Sequence, residues 1–388
     1  MRVTGSDARG AAWEHQAFLP DPLGTESPDL TGAAYRSVGD ARAALGSLDA
    51  TAQRLPNPRL FRLSTLRLEA QSTAALEGTY EPLARVMAAT EETPSDPSLR
   101  EVLNYVDVAE TAFAWVADGR PWTVGSLSSL QATLVAGTAS EQPISGQLRP
   151  IQVVIGRRDD ARPGDPPIKA ARFVPPPPGA DLESRVRDLL DWMQTDHHDA
   201  IDPVVAAAMA HYAFEALHPF HDGNGRLGRL LIVLHLHATG LVSEPTLSVS
   251  PWFEARRSEY FDALLAVSTR GDWSGWVEFF ARGLTESAQT TRTRMVHLAD
   301  IQNALKDRVQ QSKLRSASAR LLIDFAVGNP AFTITQASHA IGLQYPGTKK
   351  LMDSLIDLGI LAPLDDRTYG RRFYAPAVME ALLSPTSD

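Results

Sequence analysis

Between Asp202 and Gly240, two apolar stretches with helical spacing flank a loop whose proline and glycines stand too close together for one continuous helix. Asp202-Pro203 reads as an N-cap followed by a first-turn proline, which starts a helix running to Leu217. Pro219 disfavours helical geometry at His218 and ends it. The loop HPFHDGNG follows. A second helix opens near Gly225 and buries Leu227, Leu230, Leu231 and Leu234 at i, i+3, i+4 and i+7 spacing, until Gly240 stops it. A chain built round such a pair is expected to be mainly α.

The loop has the makings of a phosphate site. Gly223, Asn224 and Gly225 lead into a helix, so their backbone N–H groups point outward at the positive end of its dipole. Many such turns merely cap helices. Arg226 and Arg229 stand on one face of the first turns, where cations oppose the dipole. Either a polyanion binds there, or both arginines pair with nearby acids. Asp222 suits a Mg²⁺ that takes one carboxylate and fills its shell with water and phosphate oxygens; the plainer alternative is an Asx turn. His218, at the junction of helix and loop, has the chemistry to take a proton from an incoming hydroxyl. Phe220 is expected to point inward and pin the loop.

Elsewhere, Tyr35 to Leu55 and Leu60 to Glu77 read as helices, separated by Pro56-Asn57-Pro58, and Gly78 stops the second. The first ~25 residues read as polar and partly extended. The run IQVVI, from Ile151 to Ile155, and a short segment at Ala171 to Val174 read as a β-hairpin with a long tip. From Ser316 on, three helical segments precede a strand-turn-strand, the pattern of a winged helix-turn-helix. Ile301 to Asp388 carries a charge of +2, against −9 for all 388 residues, which argues against a chain that coats nucleic acid as a whole. There are no cysteines, hence neither disulfides nor thiolate metal sites. With no bilayer-spanning apolar run and no secretory pattern at the start, a cytoplasmic protein without membrane contact is expected.

His218 to Arg229, HPFHDGNGRLGR, resembles the signature HPFx(D/E)GN(G/K)RxxR of the Fic (filamentation induced by cAMP) family and matches it at every defined position. The resemblance, which extends over roughly Leu60 to Leu284, implies a Fic helical core (101–290) with a β-hairpin flap, an N-terminal helical domain (1–100) and a C-terminal winged helix (300–388). It implies transfer of AMP from ATP to a hydroxyl side chain of a protein. His218 would be the general base, Asp222 the Mg²⁺ ligand, and Gly223, Asn224 and Gly225 the anion hole. Arg226 and Arg229 would hold the β- and γ-phosphates, and Phe220, grouped with the ATP-binding residues, would anchor the loop. Val153, Val154, Ile155 and Gly156 would form the flap that pairs with the target, and Tyr260 is a candidate contact beside the adenine. Ala255 stands where the family often has a polar residue.

Thr73 to Gly78, TAALEG, fits the family's inhibitory pattern (S/T)xxxE(G/N). Glu77 would pair with Arg229 and deny it to ATP. In some relatives the same glutamate also serves removal of AMP. Rival readings are a DNA-binding regulator using Lys349, Lys350, Arg367, Arg371 and Arg372, and a metal-dependent phosphohydrolase using His211, His218, His221 and Asp222. The wing segment can equally contact protein, including a second copy of the chain. His197-His198 reads as surface, and Trp273, Trp276, Phe279 and Phe280 as core.

Overall fold

Two short strands open the chain, β1 (Arg2–Ser6) and β2 (Ala12–Gln16), antiparallel from Arg2 opposite Gln16 to Ser6 opposite Ala12. The computed structural model describes residues 1–6, 12–55, 57–90, 94–314, 316–367 and 369–384. The tip of this first hairpin and Pro56, one of the expected helix breakers, lie outside them.

The helices begin with α1 (Gly32–Arg54), capped by the Thr31 hydroxyl, which accepts from the Ala34 N–H at 3.2 Å. A 3₁₀ turn at Pro58–Phe61 leads into α2 (Arg62–Leu76). This helix is buried on nearly every side, so its polar groups need internal partners. Arg67 donates to the carbonyls of Met87 and Ala89, and Glu69 accepts from Ser248 and Ser250. Next come α3 (Leu83–Met87), α4 (Pro97–Ala117) and α5 (Val124–Val135).

The flap is an antiparallel hairpin of β3 (Ile155–Arg157) and β4 (Ala171–Phe173), with the one-turn α6 (Pro167–Ala170) in its tip. The expected strand over Ile151 to Ile155 is thus displaced: only Ile155 of that run is in β3. Pairing stops because β4 is followed by Val174 and then Pro175 to Pro178, which have no N–H groups to offer a partner. The Gln152 side chain takes up the Pro175 carbonyl instead, at 2.9 Å. A small core separate from the main one joins the flap to the first hairpin: Val3 and Ala17 pack with Ile168, Ala171 and Val174.

The main core is helical. It contains α7 (Ala180–Gln194), α8 (Pro203–Leu217), α9 (Asn224–Ala238), α10 (Ser250–Ala255), α11 (Arg257–Arg270) and the 39-residue α12 (Trp273–Gln311), along which α1 lies. Asp202 caps α8, accepting from the Val204 N–H at 2.9 Å, with Pro203 in its first turn. Trp276 and Phe280 are fully buried and Phe279 nearly so, as expected of core residues.

The chain ends with α13 (Ala317–Gly328), β5 (Phe332–Thr333), α14 (Ile334–Ile341), α15 (Tyr345–Asp357), β6 (Ala362–Pro363), β7 (Arg372–Tyr374) and α16 (Pro376–Leu383), the strands ordered β5-β7-β6. The expected three helices and hairpin are present; β5 and α16 are additions. The interval 290–300, expected to part core from tail, is helical throughout, and one hydrophobic cluster runs from α1 to α16. Among the described residues no helix is long and apolar enough to cross a membrane.

Candidate active site

The loop between α8 and α9 is held in shape by its own polar groups. His218 caps α8 in a left-handed conformation (φ 48°, ψ 61°), unique among the described residues that are not glycine. Pro219 disfavours the right-handed helical region at His218, whose N–H still closes the last turn on the Phe214 carbonyl at 2.9 Å. Phe220 is fully buried in the main core. It therefore pins the loop, and its grouping with nucleotide-contacting residues is corrected. Asn224 closes the loop: its side chain donates to the Phe220 carbonyl and accepts from the Phe220 N–H, both at 2.9 Å. Its amide is turned into the loop on both its donor and its acceptor side, which leaves the backbone N–H as the group it can offer a ligand.

Gly223 is the N-cap of α9 (φ 83°), and a Cβ there would lie 2.9 Å from Leu134 Cδ2, so glycine is needed on two counts. The first helical hydrogen bond is Leu227 N–H to the Gly223 carbonyl. That leaves the N–H groups of Asn224, Gly225 and Arg226 without acceptors in the helix.

Both arginines below this nest are buried and both meet carboxylates, which is the acid-pairing alternative. Arg226 lies 2.8 Å from Glu101 of α4 and 3.0 Å from Asp222. Arg229 pairs with Glu77 at 2.6 Å, and donates to the Thr73 hydroxyl at 2.7 Å and the Thr73 carbonyl at 3.1 Å. Burial works against the Arg229 charge, but Glu77, Tyr260 and Glu215 hold its pKa above the ordinary arginine range.

Glu77 is the C-cap of α2, one position beyond the last turn in which it was expected. Its carboxylate occupies the space over Gly225, where a Cβ would come within 2.0 Å of Glu77 Oε1. The end of α2 is built to present it. The Thr79 N–H reaches the Ala74 carbonyl and the Gly78 N–H the Ala75 carbonyl, a Schellman arrangement that needs the positive φ of Gly78 (100°). Gly78→Ala is expected to cost about 1–2 kcal/mol, read as a lower urea midpoint; an unchanged midpoint would show that this end of α2 is unstrained. Thr79 also donates to Glu101, at 3.0 Å, joining this turn to Arg226.

His218 lines a cavity of about 440 Å³, with Glu77 and Gly225 on one side, Ile155 and Gly156 of the flap above, and Arg257 and Phe261 of α11 opposite. Shielding from water holds its imidazole at a pKa of about 4, so the ring is neutral at neutral pH. Glu77 and Asp222 pull the other way, whereas Arg149 adds to the depression. Glu215, three residues before His218, lines the same cavity, and burial raises its carboxyl to about 7. Asp222 is held by the Ser140 hydroxyl and by Arg226 while its side chain remains 40% exposed. Among the described residues no three metal-ligating side chains cluster. A cation at Asp222 would therefore take its other ligands from phosphate and water, which suits Mg²⁺.

Two expectations change. Tyr260 does not face the cavity: it is fully buried, its hydroxyl 2.7 Å from His211 Nε2 and its ring stacked on Phe253. His211 is committed to that hydroxyl and, at 2.9 Å, to the Gly228 carbonyl, which withdraws it from the phosphohydrolase set. His197 stacks half-buried on Trp192. It borders a second cavity of about 510 Å³, at the far ends of α8 and α9, that contains none of the loop residues. In the tail, Arg367, Arg371 and Arg372 pair with Asp365 or Asp366, and Lys349 with Asp353. Residues that sequence reasoning missed are Arg149, Glu101, Ser140 and Glu215. Glu215 alone had a local signal, its helical spacing from His218.

The Fic/DOC family model matches residues 121–236, and the Fic/DOC family N-terminal model matches residues 35–114. Protein adenylyltransferase fic-1 of Caenorhabditis elegans is 32% identical over 167 residues, 42% of this chain and 31% of that protein. A probable protein adenylyltransferase of Aquifex aeolicus is 31% identical over 153 residues, 37% of this chain and 47% of that protein. The matches thus span about a third and about half of those curated relatives. The crystal structure of a Fic family protein from Desulfovibrio desulfuricans shares the fold, with a TM-score of 0.56 at 23% identity, over 90% of this chain and 98% of that one. With two family models together matching just over half of its length, and with every defined position of the loop signature in place around a glycine nest, the chain belongs to the Fic/DOC family.

Proposed function

We propose that this protein transfers AMP from ATP to a hydroxyl on a protein, and that Glu77 holds the activity in check. The observation that carries the reading is the placement of His218 in one cavity with the open N–H groups at the start of α9. The target hydroxyl gives its proton to His218 as its oxygen attacks the α-phosphorus. The bond from that phosphorus to the bridging oxygen breaks, and pyrophosphate leaves. Asn224, Gly225 and Arg226 N–H groups meet the phosphate charge, with the Arg226 and Arg229 side chains beyond them. Asp222 would hold a Mg²⁺, whose chemistry is to neutralise phosphate charge. The relatives' names, protein adenylyltransferase, support the reaction class.

The target would come in along the flap. Residues 151–154 precede β3 without strand pairing, and Ile151 is half exposed, so a partner strand has backbone to meet. We read residues 1–100, 101–290 and 300–388 as the N-terminal helical part, the Fic core and a winged helix-turn-helix. The acid partners of the wing arginines favour a protein contact there, including a second copy of this chain, over DNA. The alternative reading is a bifunctional enzyme in which Glu77 also serves removal of AMP; label would then be lost from the protein when ATP is diluted away after transfer.

The test is label transfer. With Mg²⁺ and ATP labelled at the α-phosphate, label is expected on protein, the chain itself serving as acceptor. ATP labelled at the γ-phosphate is expected to leave none. Label from the γ-position alone would replace AMP transfer with phosphate transfer.

A further inference from the structure

We propose that Arg149 is a positioning residue that sets the turn carrying His218 and ties the base of the flap to it. The inference rests on the proposed reaction only for its kinetic arm.

Arg149 follows α5 by more than a dozen residues and is 1% exposed. Its Nε donates to the His218 carbonyl at 2.8 Å and its Nη2 to the Leu217 carbonyl at 3.4 Å, while its backbone N–H donates to the Pro219 carbonyl at 2.9 Å. Three consecutive carbonyls of the turn are thus met by one residue. The remaining donors go to the flap: Nη1 to the Ile151 carbonyl at 3.2 Å, and Nη2 to the Pro176 carbonyl. Ile151 and Pro176 stand on the two legs of the hairpin, outside β3 and β4.

The chemistry fits the place. The last carbonyls of α8 lack helical partners, and a cation at that end is favoured by the dipole. His218 sits in a left-handed conformation that persists only when its surroundings fix it. A rigid planar fork can satisfy carbonyls in several directions at once, which a lysine ammonium on a flexible stem cannot. Its side-chain donors all meet carbonyls, and among the described residues no carboxylate pairs with the guanidinium charge. Burial lowers its pKa to about 10, which still leaves it charged at neutral pH. That charge adds to the shielding that keeps the His218 ring neutral. The other groups facing the ring are Glu77 from α2, Asp222 from the loop and Glu215 from α8, with Arg157 and Arg172 of the flap and Arg257 of α11 around the same cavity.

The test compares Arg149→Lys and Arg149→Met. The ring of His218 is titrated by NMR in ATP-free protein, and single-turnover transfer and ATP Kd are measured in a Glu77→Gly background. Arg149→Met is expected to raise the His218 midpoint from about 4 toward the ordinary imidazole value, and Arg149→Lys to keep it low. Both are expected to slow transfer about 100-fold with ATP Kd nearly unchanged. A guanidinium that is merely structural would lower Tm in both variants without moving the midpoint in Arg149→Met or separating kcat from Kd, and that result overturns the proposal. Full-rate transfer by Arg149→Lys overturns it as well. If Arg149→Met does not fold, the rate and Kd of Arg149→Lys decide. If the Glu77→Gly parent itself transfers nothing, the proposed reaction fails while the titration still decides the role of Arg149.

Discussion

Glu77→Gly is expected to raise transfer of label from ATP about 10-fold, and up to about 100-fold. Its carboxylate fills the space over Gly225 and holds the buried Arg229 at 2.6 Å, so a nucleotide must displace it to bring phosphate oxygens to the start of α9. A hydrogen bond to a charged group contributes about 1.5–3 kcal/mol, and the 34% exposure of the Glu77 side chain places this one toward the lower end. The substitution also has an opposite sign in the absence of ATP. It leaves Arg229 buried with Thr73 as its remaining partner from α2, so the resting protein should melt lower. Saturating ATP should then raise Tm by more in the variant than in the wild type, because the ligand no longer competes with the carboxylate. Transfer that stays flat or falls, together with an unchanged ATP-induced Tm shift, would remove Glu77 from the role of brake. Thr73→Val is a milder version of the same change, since it deletes one hydroxyl acceptor and keeps the ion pair.

How much of this was legible in the sequence follows from how local each feature is. The ends of α8 and α9 are written by Asp202, Pro203, Pro219 and Gly223, each acting within a few residues of its own position, and they fall where the spacing places them. The link from Glu77 to Arg229 joins α2 to α9, far apart in sequence, and was legible only through the family pattern. Tyr260 shows the opposite case. It was expected beside the adenine, but which side of α11 faces the cavity is decided by packing against Phe253, Trp276 and His211. The β-branched run at Ile151 promised a strand, and the prolines opposite removed its partner. Glu101 of α4, and Ser140 and Arg149 of the connection between α5 and β3, acquire their roles only when the fold brings Arg226, Asp222 and Leu217 to them. The site thus divides into a loop that carries its own instructions and a set of clamps that the fold supplies.

His218→Ala is expected to abolish transfer while ATP still binds. Loss of a positioned general base removes about 10²–10⁴-fold of rate, and the nest, Arg226 and Arg229 are untouched by the change. Because His218 has a left-handed backbone, alanine also strains the turn; His218→Asn serves as the companion, since asparagine tolerates that conformation but offers no imidazole. Equal loss in both variants assigns the effect to proton transfer, whereas recovery in His218→Asn would assign it to the backbone. The pH profile supplies an independent check. The ring must be neutral to accept the proton, and its pKa lies at about 4 because it is shielded from water. Activity should therefore persist as pH falls below the ordinary imidazole value of about 6.5, and decline only through about 4. The profile to read is kcat/KM, which reports the free protein; bound polyphosphate adds negative charge and would move the limb of kcat upward. Depressed histidine pKa values also act on the fold. Below about 6.5 the unfolded chain takes up protons that His218, His211 (about 3) and His235 (about 4) refuse, so stability falls with pH over that same window. Tm measured alongside each rate separates the two effects. An acid limb near 6.5 at constant Tm would mean that a solvated group, and not this shielded imidazole, takes the proton.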